Sequence, residues 1–224
     1  MESFDRLRGA ITAIGGELHE ASVAGPITEA QLRKIESKMR RGLPGDMRSF
    51  VLTTSRRIAL SWSLPETLAR PSGLLEVSAA WLEFDVARIP DCERARIQWI
   101  ESCFPDRTTP YDAVWHDKLA FHHVPNGDLL AIDPYGQVVY LSHDDGAGHG
   151  VVMAESFTDL LERWLPLGCP GPEDWEWLPF VSGPRSGIEP TSEAGRRWLA
   201  FLGLPEGSLS PPGSTARRPG PGRR

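Results

Sequence analysis

Residues 121–169, FHHVPNGDLLAIDPYGQVVYLSHDDGAGHGVVMAESFTDLLERWLPLGC, constrain the fold more than any other part of this chain. Pro125-Asn126-Gly127-Asp128 and Pro134-Tyr135-Gly136 are turn sequences, because proline presets φ and asparagine or glycine accepts positive φ. Turns this close together leave room for strands between them and no room for long helices. Leu129 to Asp133 is apolar until its closing acid. Gln137 to His143 sets Val138, Tyr140 and Ser142 against Val139, Leu141 and His143, the period of a strand. A polar loop follows, then a fourth short strand through Val151 and Val152. Ser156 next precedes Phe157, Leu160, Leu161 and Trp164, with Asp159 at the capping-box position, which opens an amphipathic helix.

Helical patterns dominate both ends. Phe4, Leu7, Ile11, Ile14 and Leu18 recur at steps of three and four, so residues 3–19 read as a helix weakened by Gly15-Gly16. Thr28 and Gln31 form a capping box for a second helix with Leu32, Ile35 and Met39 inward, closed near Gly42. Asp46 to Leu52 reads as a third. Ile58, Leu60, Trp62 and Leu64 alternate with small residues as a strand that Pro65 stops. In the middle, Leu74 to Val77 fits a strand, Trp81 to Val86 and Glu93 to Phe104 fit helices, and Ala113 to Val124 fits a return to strand. Residues 166–179, with four prolines, Trp175 and Trp177, read as a packed irregular segment. Ser182 to Pro190 reads as a linker and Glu193 to Leu202 as a last helix. Pro205 to Arg224 is too poor in apolar residues to fold alone and reads as a disordered tail.

Composition bounds the function. The 224 residues carry a formal charge of −6 and eight Trp, enough for a real core. Arg217, Arg218, Arg223 and Arg224 against Glu206 give the last 20 residues +3, which leaves −9 on the rest. An acidic body argues against nucleic acid, whose phosphates require clustered Lys and Arg, and suits a basic protein partner. No apolar run reaches the length of a membrane span, and the charged N-terminus does not read as a secretory signal. Cys92, Cys103 and Cys169 are odd in number, widely spaced and without a CxxC pair, which fits thiols in a reducing cytoplasm.

Several of these pieces stand in the order of a known family. A helix from Ile27-Thr28 carries Glu36, Leu43-Pro44 leads into the next helix, and a strand with the aromatic Trp62 follows. A glycine–acid step then opens an apolar strand (Gly127-Asp128-Leu129-Leu130-Ala131-Ile132-Asp133), and Gly136 to Asp144 ends in His-Asp. A Ser-Phe pair at 156–157 begins the closing helix. Over about residues 27–167 the chain resembles the SUKH superfamily, the domain of the yeast Smi/Knr cell-wall regulator and of many bacterial immunity proteins. It departs at Thr53 to Arg57, where many members carry an Asn-Gly loop, and in a longer 66–113 segment. The resemblance implies an α+β fold, a mainly antiparallel sheet flanked by N- and C-terminal helices, and a protein that acts by binding protein.

Chemistry-bearing residues cluster around the loops. His122, His123, Asp128, Asp133, His143, Asp144, Asp145 and His149 are potential metal ligands, yet they form no HExxH, CxxC or EF-hand pattern, and turn chemistry explains the acids. There is no GxSxG elbow. Gly146-Ala147-Gly148-His149-Gly150 lacks the Lys-Ser/Thr of a phosphate loop and leads into a strand, so its glycines read as a mobile turn. The expectation is a bacterial, cytoplasmic, non-enzymatic protein with no cofactor and no metal. Its organisation would be an N-terminal helical extension at 1–24, a SUKH-like domain at 25–180, a linker and helix at 181–204, and the tail at 205–224. As an immunity protein it would cover the active site of a toxin, with Trp62, Asp128, Asp144, Asp145, Trp175 and Trp177 as candidate contact residues. A regulatory scaffold is the alternative, and an enzyme using the His/Asp loop cluster the third reading.

Overall fold

The computed structural model describes residues 2–213. Helix α1 (Glu2–Ala13) buries Leu7, Ala10 and Ile11. It stops at Gly15, whose φ of +83° suits glycine. A Cβ at Gly16 would lie 2.8 Å from Ile11, Leu64 and the carbonyl of Ser63, so the chain passes too close to its neighbours there for any side chain. The sequence-based helix to residue 19 is therefore cut short. Residues Glu17–Ala24 form β1 instead, paired antiparallel with β2 (Arg57–Ser63) from Glu17–Ser63 to Ala24–Arg57. The stretch 1–24 is thus a helix followed by a strand, with twelve residues in α1 and eight in β1.

The capping box appears as read. Thr28 accepts the Gln31 amide, and the Gln31 side chain accepts the Thr28 amide at 2.8 Å, starting α2 (Glu29–Met39). That helix ends at Arg40 in the left-handed conformation, two residues before Gly42. Helix α3 (Gly45–Thr53) follows. Trp81 to Val86, read as helical, is in fact strand β3 (Ala79–Asp85), antiparallel to β2, while 74–77 is turn. Leu82 and Phe84 face the core and Trp81 and Glu83 face out, a period of two that the short apolar run disguised. Helix α4 (Ile89–Ser102) lies where expected. The expected strand 113–124 is divided into helix α5 (Pro110–Trp115), with Thr109 capping it, and β4 (Leu119–His123).

The second sheet has the order β4, β5 (Leu129–Ile132), β6 (Val138–Leu141), β7 (Val152–Ala154), antiparallel throughout. Helix α6 (Phe157–Trp164) packs on it through Phe157, Leu160, Leu161 and Trp164, its N-terminus capped by Ser156. The short α7 (Asp174–Trp177) and α8 (Glu193–Phe201) complete the described chain. Between β3 and β4 side chains replace the backbone ladder. The Glu83 amide goes to His122 Nε2 at 3.1 Å, beside a bulge in β4, and the Ala120 amide turns to α4, meeting the Glu93 carboxylate at 3.0 Å. Complete burial pushes the His122 pKa down to about 3, which keeps the ring neutral and Nε2 an acceptor.

The main core lies against one side of both sheets. Phe50, Phe84 and Phe121 converge on Phe157 with centroids 4.6–5.6 Å away. A second core on the opposite face of β4–β7 joins Ala120, Leu129, Ala131, Val139 and Leu141 to Cys92, Phe104 and Trp115 under α4 and α5. The C-terminal part belongs to the main core. Trp198 stacks on Trp62 at 6.0 Å, Ile188 in the expected linker is fully buried and bridges Val181, and Leu209 in the expected tail is 4 % exposed. Arg6 donates to the Ser208 carbonyl and Ser3 Oγ accepts the Ser210 amide, so residues 208–210 lie on α1. The remainder of that expected tail, 214–224, lies outside the described residues. Among the described residues no helix is long and apolar enough to cross a membrane.

Candidate functional site

The turn before β5 positions the first of the loop acids. Gly127 takes φ +105°, and the Asn126 side chain accepts the Asp128 amide at 2.9 Å. Asp128 is thereby directed into the end of the second sheet, where it is 2 % exposed. Its Oδ2 accepts Tyr140 Oη at 2.7 Å and Asn126 Nδ2 at 3.0 Å. Its Oδ1 accepts the His143 amide at 2.8 Å and lies 2.6 Å from His143 Nδ1. Burial, followed by the hydrogen bond to Asp128, drives the Tyr140 pKa upward and keeps the phenol a donor. The His143 ring stacks on Trp99, whose Nε1 donates to the Gly127 carbonyl at 3.2 Å.

The loop after β6 is built rather than loose. Ser142 Oγ donates to Asp144 Oδ1 at 2.8 Å and accepts the Gly146 amide at 3.1 Å. Tyr111 Oη donates to the Ser142 carbonyl and accepts the amide of Asp145, which sits at φ 62°. His149 stacks on Tyr111 at 3.7 Å, accepts the Ser142 amide at Nδ1 and donates from Nε2 to the Tyr111 carbonyl. Burial lowers its pKa, in keeping with that neutral tautomer. The glycines serve close approach: a Cβ at Gly146 would fall 2.6 Å from Ser142 Oγ, and one at Gly148 2.5 Å from Asp174 Cβ. The mobile turn expected from the sequence is a tightly packed one.

Asp174 and Glu176, which no sequence motif marks, hold the segment carrying α7 to both sheets. Asp174 Oδ2 accepts the Gly148 amide. Glu176 Oε1 accepts the amides of Ser78 and Ala79 and the Ser78 hydroxyl, and burial pushes its pKa up to about 7. Both contacts join residues distant in sequence, so no local pattern announces them. Glu173 next to them is pushed above the usual carboxylate range, first by burial and then by the charges of Asp128, Asp174 and Asp144. Four carboxylates therefore crowd one end of the second sheet, and no basic side chain is among the groups acting on Glu173.

The six candidates separate. Asp144 and Asp145 lie together at this end, with Asp145 exposed. Asp128 belongs to the same cluster from beneath, as its buried support. Trp175, 47 % exposed, projects from α7 beside Glu173. Trp62 and Trp177 are core residues: Trp62 Nε1 donates to the Gly168 carbonyl at 2.7 Å, and Trp177 packs on Tyr140. Burial removes both from any contact surface.

The Asp128, His143 and Asp144 side chains offer ligand atoms within 4.8 Å of one another. A cation there would have to displace hydrogen bonds that already occupy both Asp128 oxygens. The Asp128–His143 pair has the form of an acid–base dyad, but the nearby hydroxyls are engaged elsewhere, Ser142 with Asp144 and Tyr140 with Asp128.

No curated protein and no solved structure gave a match to the chain. A family model does match, over residues 26–163, from the turn before α2 through nearly all of α6. It covers more than half of the chain and takes in α2, α3, both sheets except β1, and the Asp128–Asp145 loops. The order of helices and strands expected from the family resemblance, together with this match, makes the chain a member of the SMI1 / KNR4 family (SUKH-1).

Proposed function

We propose that this protein is an immunity protein that neutralises a cationic toxin by covering the toxin's active site with the acidic end of its second sheet. Asp144, Asp145 and Glu173 would face the partner's Lys and Arg side chains, and the neighbouring Trp175 would supply the apolar anchor typical of interface hot spots. The observation that carries the reading is the gathering of Asp144, Asp174 and Glu173 over the buried Asp128, with Asp145 exposed beside them, at one end of the second sheet. Like charges held together at a partly desolvated surface are relieved by a cationic partner, which speeds encounter and selects against acidic surfaces. The family supplies the rest, since it includes immunity proteins among its protein-binding members. Co-expression with the product of the adjacent gene tests it: rescue of growth by the wild type, lost in Asp144→Lys/Asp145→Lys, supports the proposal. Failure of the wild type to rescue any neighbouring toxin would favour the regulatory scaffold.

A further inference from the structure

Helices α4 and α5 cover one side of β4–β7, but among the described residues no helix continues over the same side of β1–β2–β3. The strand register lays three rows across that bare face: Glu20–Ser61–Trp81, Ser22–Ala59–Glu83 and Ala24–Arg57–Asp85. Trp81 is 44 % exposed at the step where the bare sheet meets α4. A hollow of about 140 Å³ lies on one side of its indole, floored by Ala59 and Ser61 and bounded by Glu20 and Glu83. A second, of about 230 Å³, lies on the other side between Trp81, Arg88, Cys92 and His123. Burial pushes the Cys92 thiol up to about 12, the mark of an apolar wall.

Charge decides what fits here. Glu20 is paired with Arg57 at 2.7 Å and Glu83 with Arg88 at 2.7 Å, so the two acids that bound the hollow beside Trp81 each have a cation of their own. The Asp144 end of the molecule is crowded with acids, and a cationic partner belongs there. A protruding aromatic beside a hollow of small residues, flanked by two acid–arginine pairs, is complementary to itself. In a twofold contact, a residue that meets a given residue of the other copy is met by it in return, so a fit of knob to hollow and of acid to arginine is made twice.

We propose that the outer face of β1–β2–β3 is an interface between two copies of this chain, with Trp81 of each copy seated in the small-residue hollow of the other. Trp81 would be the buried anchor, and the Glu20–Arg57 and Glu83–Arg88 pairs the polar rim that exchanges partners across the axis. The inference stands on different residues from the toxin-binding reading and does not depend on it.

Sedimentation of the full chain over a wide range of micromolar concentrations tests the interface. The wild-type mass should rise with concentration from 24.7 kDa towards twice that value. Trp81→Ala should weaken self-association by at least about tenfold, as loss of a central aromatic anchor does. Ser61→Arg, which fills the hollow from a position outside the core, should do the same while leaving circular dichroism and the thermal midpoint unchanged. If Trp81→Ala fails to fold, Ser61→Arg alone decides. A wild type that stays at 24.7 kDa throughout, or a folded variant that associates as the wild type does, overturns the proposal. A monomeric wild type whose Trp81→Ala variant loses a different protein would overturn it as well and assign the face to that protein.

Discussion

Asp174 Oδ2 accepts the backbone amide of Gly148 at 2.6 Å, across 26 residues of sequence. This bond fixes the acidic loop against α7, and with the Asp128–His143 contact it turns what would be a floppy polar loop into a rigid surface. Rigidity matters to binding, because a loop ordered beforehand loses less entropy when a partner arrives.

Asp174→Ala should destabilise the fold by about 2 kcal/mol, the range for a hydrogen bond to a charged group. Gly148→Ala should cost about 1–3 kcal/mol by overpacking, since its Cβ would meet Asp174 Cβ at 2.5 Å. Urea midpoints measure both. A neutral Gly148→Ala would mean that the loop moves aside freely.

Glu176 makes stability depend on pH. Its folded pKa of about 7 lies above the ordinary 4.5, so the native state holds the proton more tightly than the unfolded chain. The contribution is fully present below about pH 4.5 and is lost as pH rises through about 7, by up to roughly 3 kcal/mol. Glu176→Gln keeps an acceptor for Ser78 and Ala79 and removes the titration. Its unfolding free energy should fall less than the wild type's between pH 5 and pH 8; equal falls would contradict the assignment.

Truncation after Leu204 should lower stability by about 1.5–3 kcal/mol, the worth of one fully buried Leu side chain, because Leu209 is removed along with the Ser3 and Arg6 contacts. For a chain of this size that is a fall of several degrees in the thermal midpoint. An unchanged midpoint would restore the reading of 205–213 as a dispensable tail.

Trp62→Ala should act on folding and not on recognition. Trp62 is 1 % exposed, bonded to Gly168 and stacked on Trp198, and its truncation should cost about 3–5 kcal/mol. Trp175→Ala, at an exposed position, should leave the unfolding midpoint nearly unchanged and weaken partner binding.

Where turn and cap chemistry is local, the fold is legible in the residues. The Asn126-Gly127 turn, the Thr28 and Ser156 caps, and the alternation of Ile58, Leu60 and Trp62 all stand as read. Strand β1 escaped because its sequence ELHEASVA has little apolar alternation, as befits an edge strand exposed along much of its length. Strand β3 was mistaken because its outward residue is Trp81, a hydrophobe in a polar slot. The candidate site was half legible: Asp144 and Asp145 were visible as loop acids, but the burial of Asp128, Trp62 and Trp177 depends on packing. The contributions of Glu173 and Asp174 depend on a contact with residues 128–148 that no local pattern encodes.

The association rate with the proposed cationic partner, measured for the wild type and for Asp144→Lys/Asp145→Lys/Glu173→Lys at low and high salt, tests the central claim most directly. Electrostatic steering predicts that the triple variant associates at least about tenfold more slowly at low salt. The two rates should converge near 1 M salt, where the screening length is about 3 Å. Equal rates at low salt, with the partner still bound, would contradict the account and move the interface away from the acidic end of the second sheet.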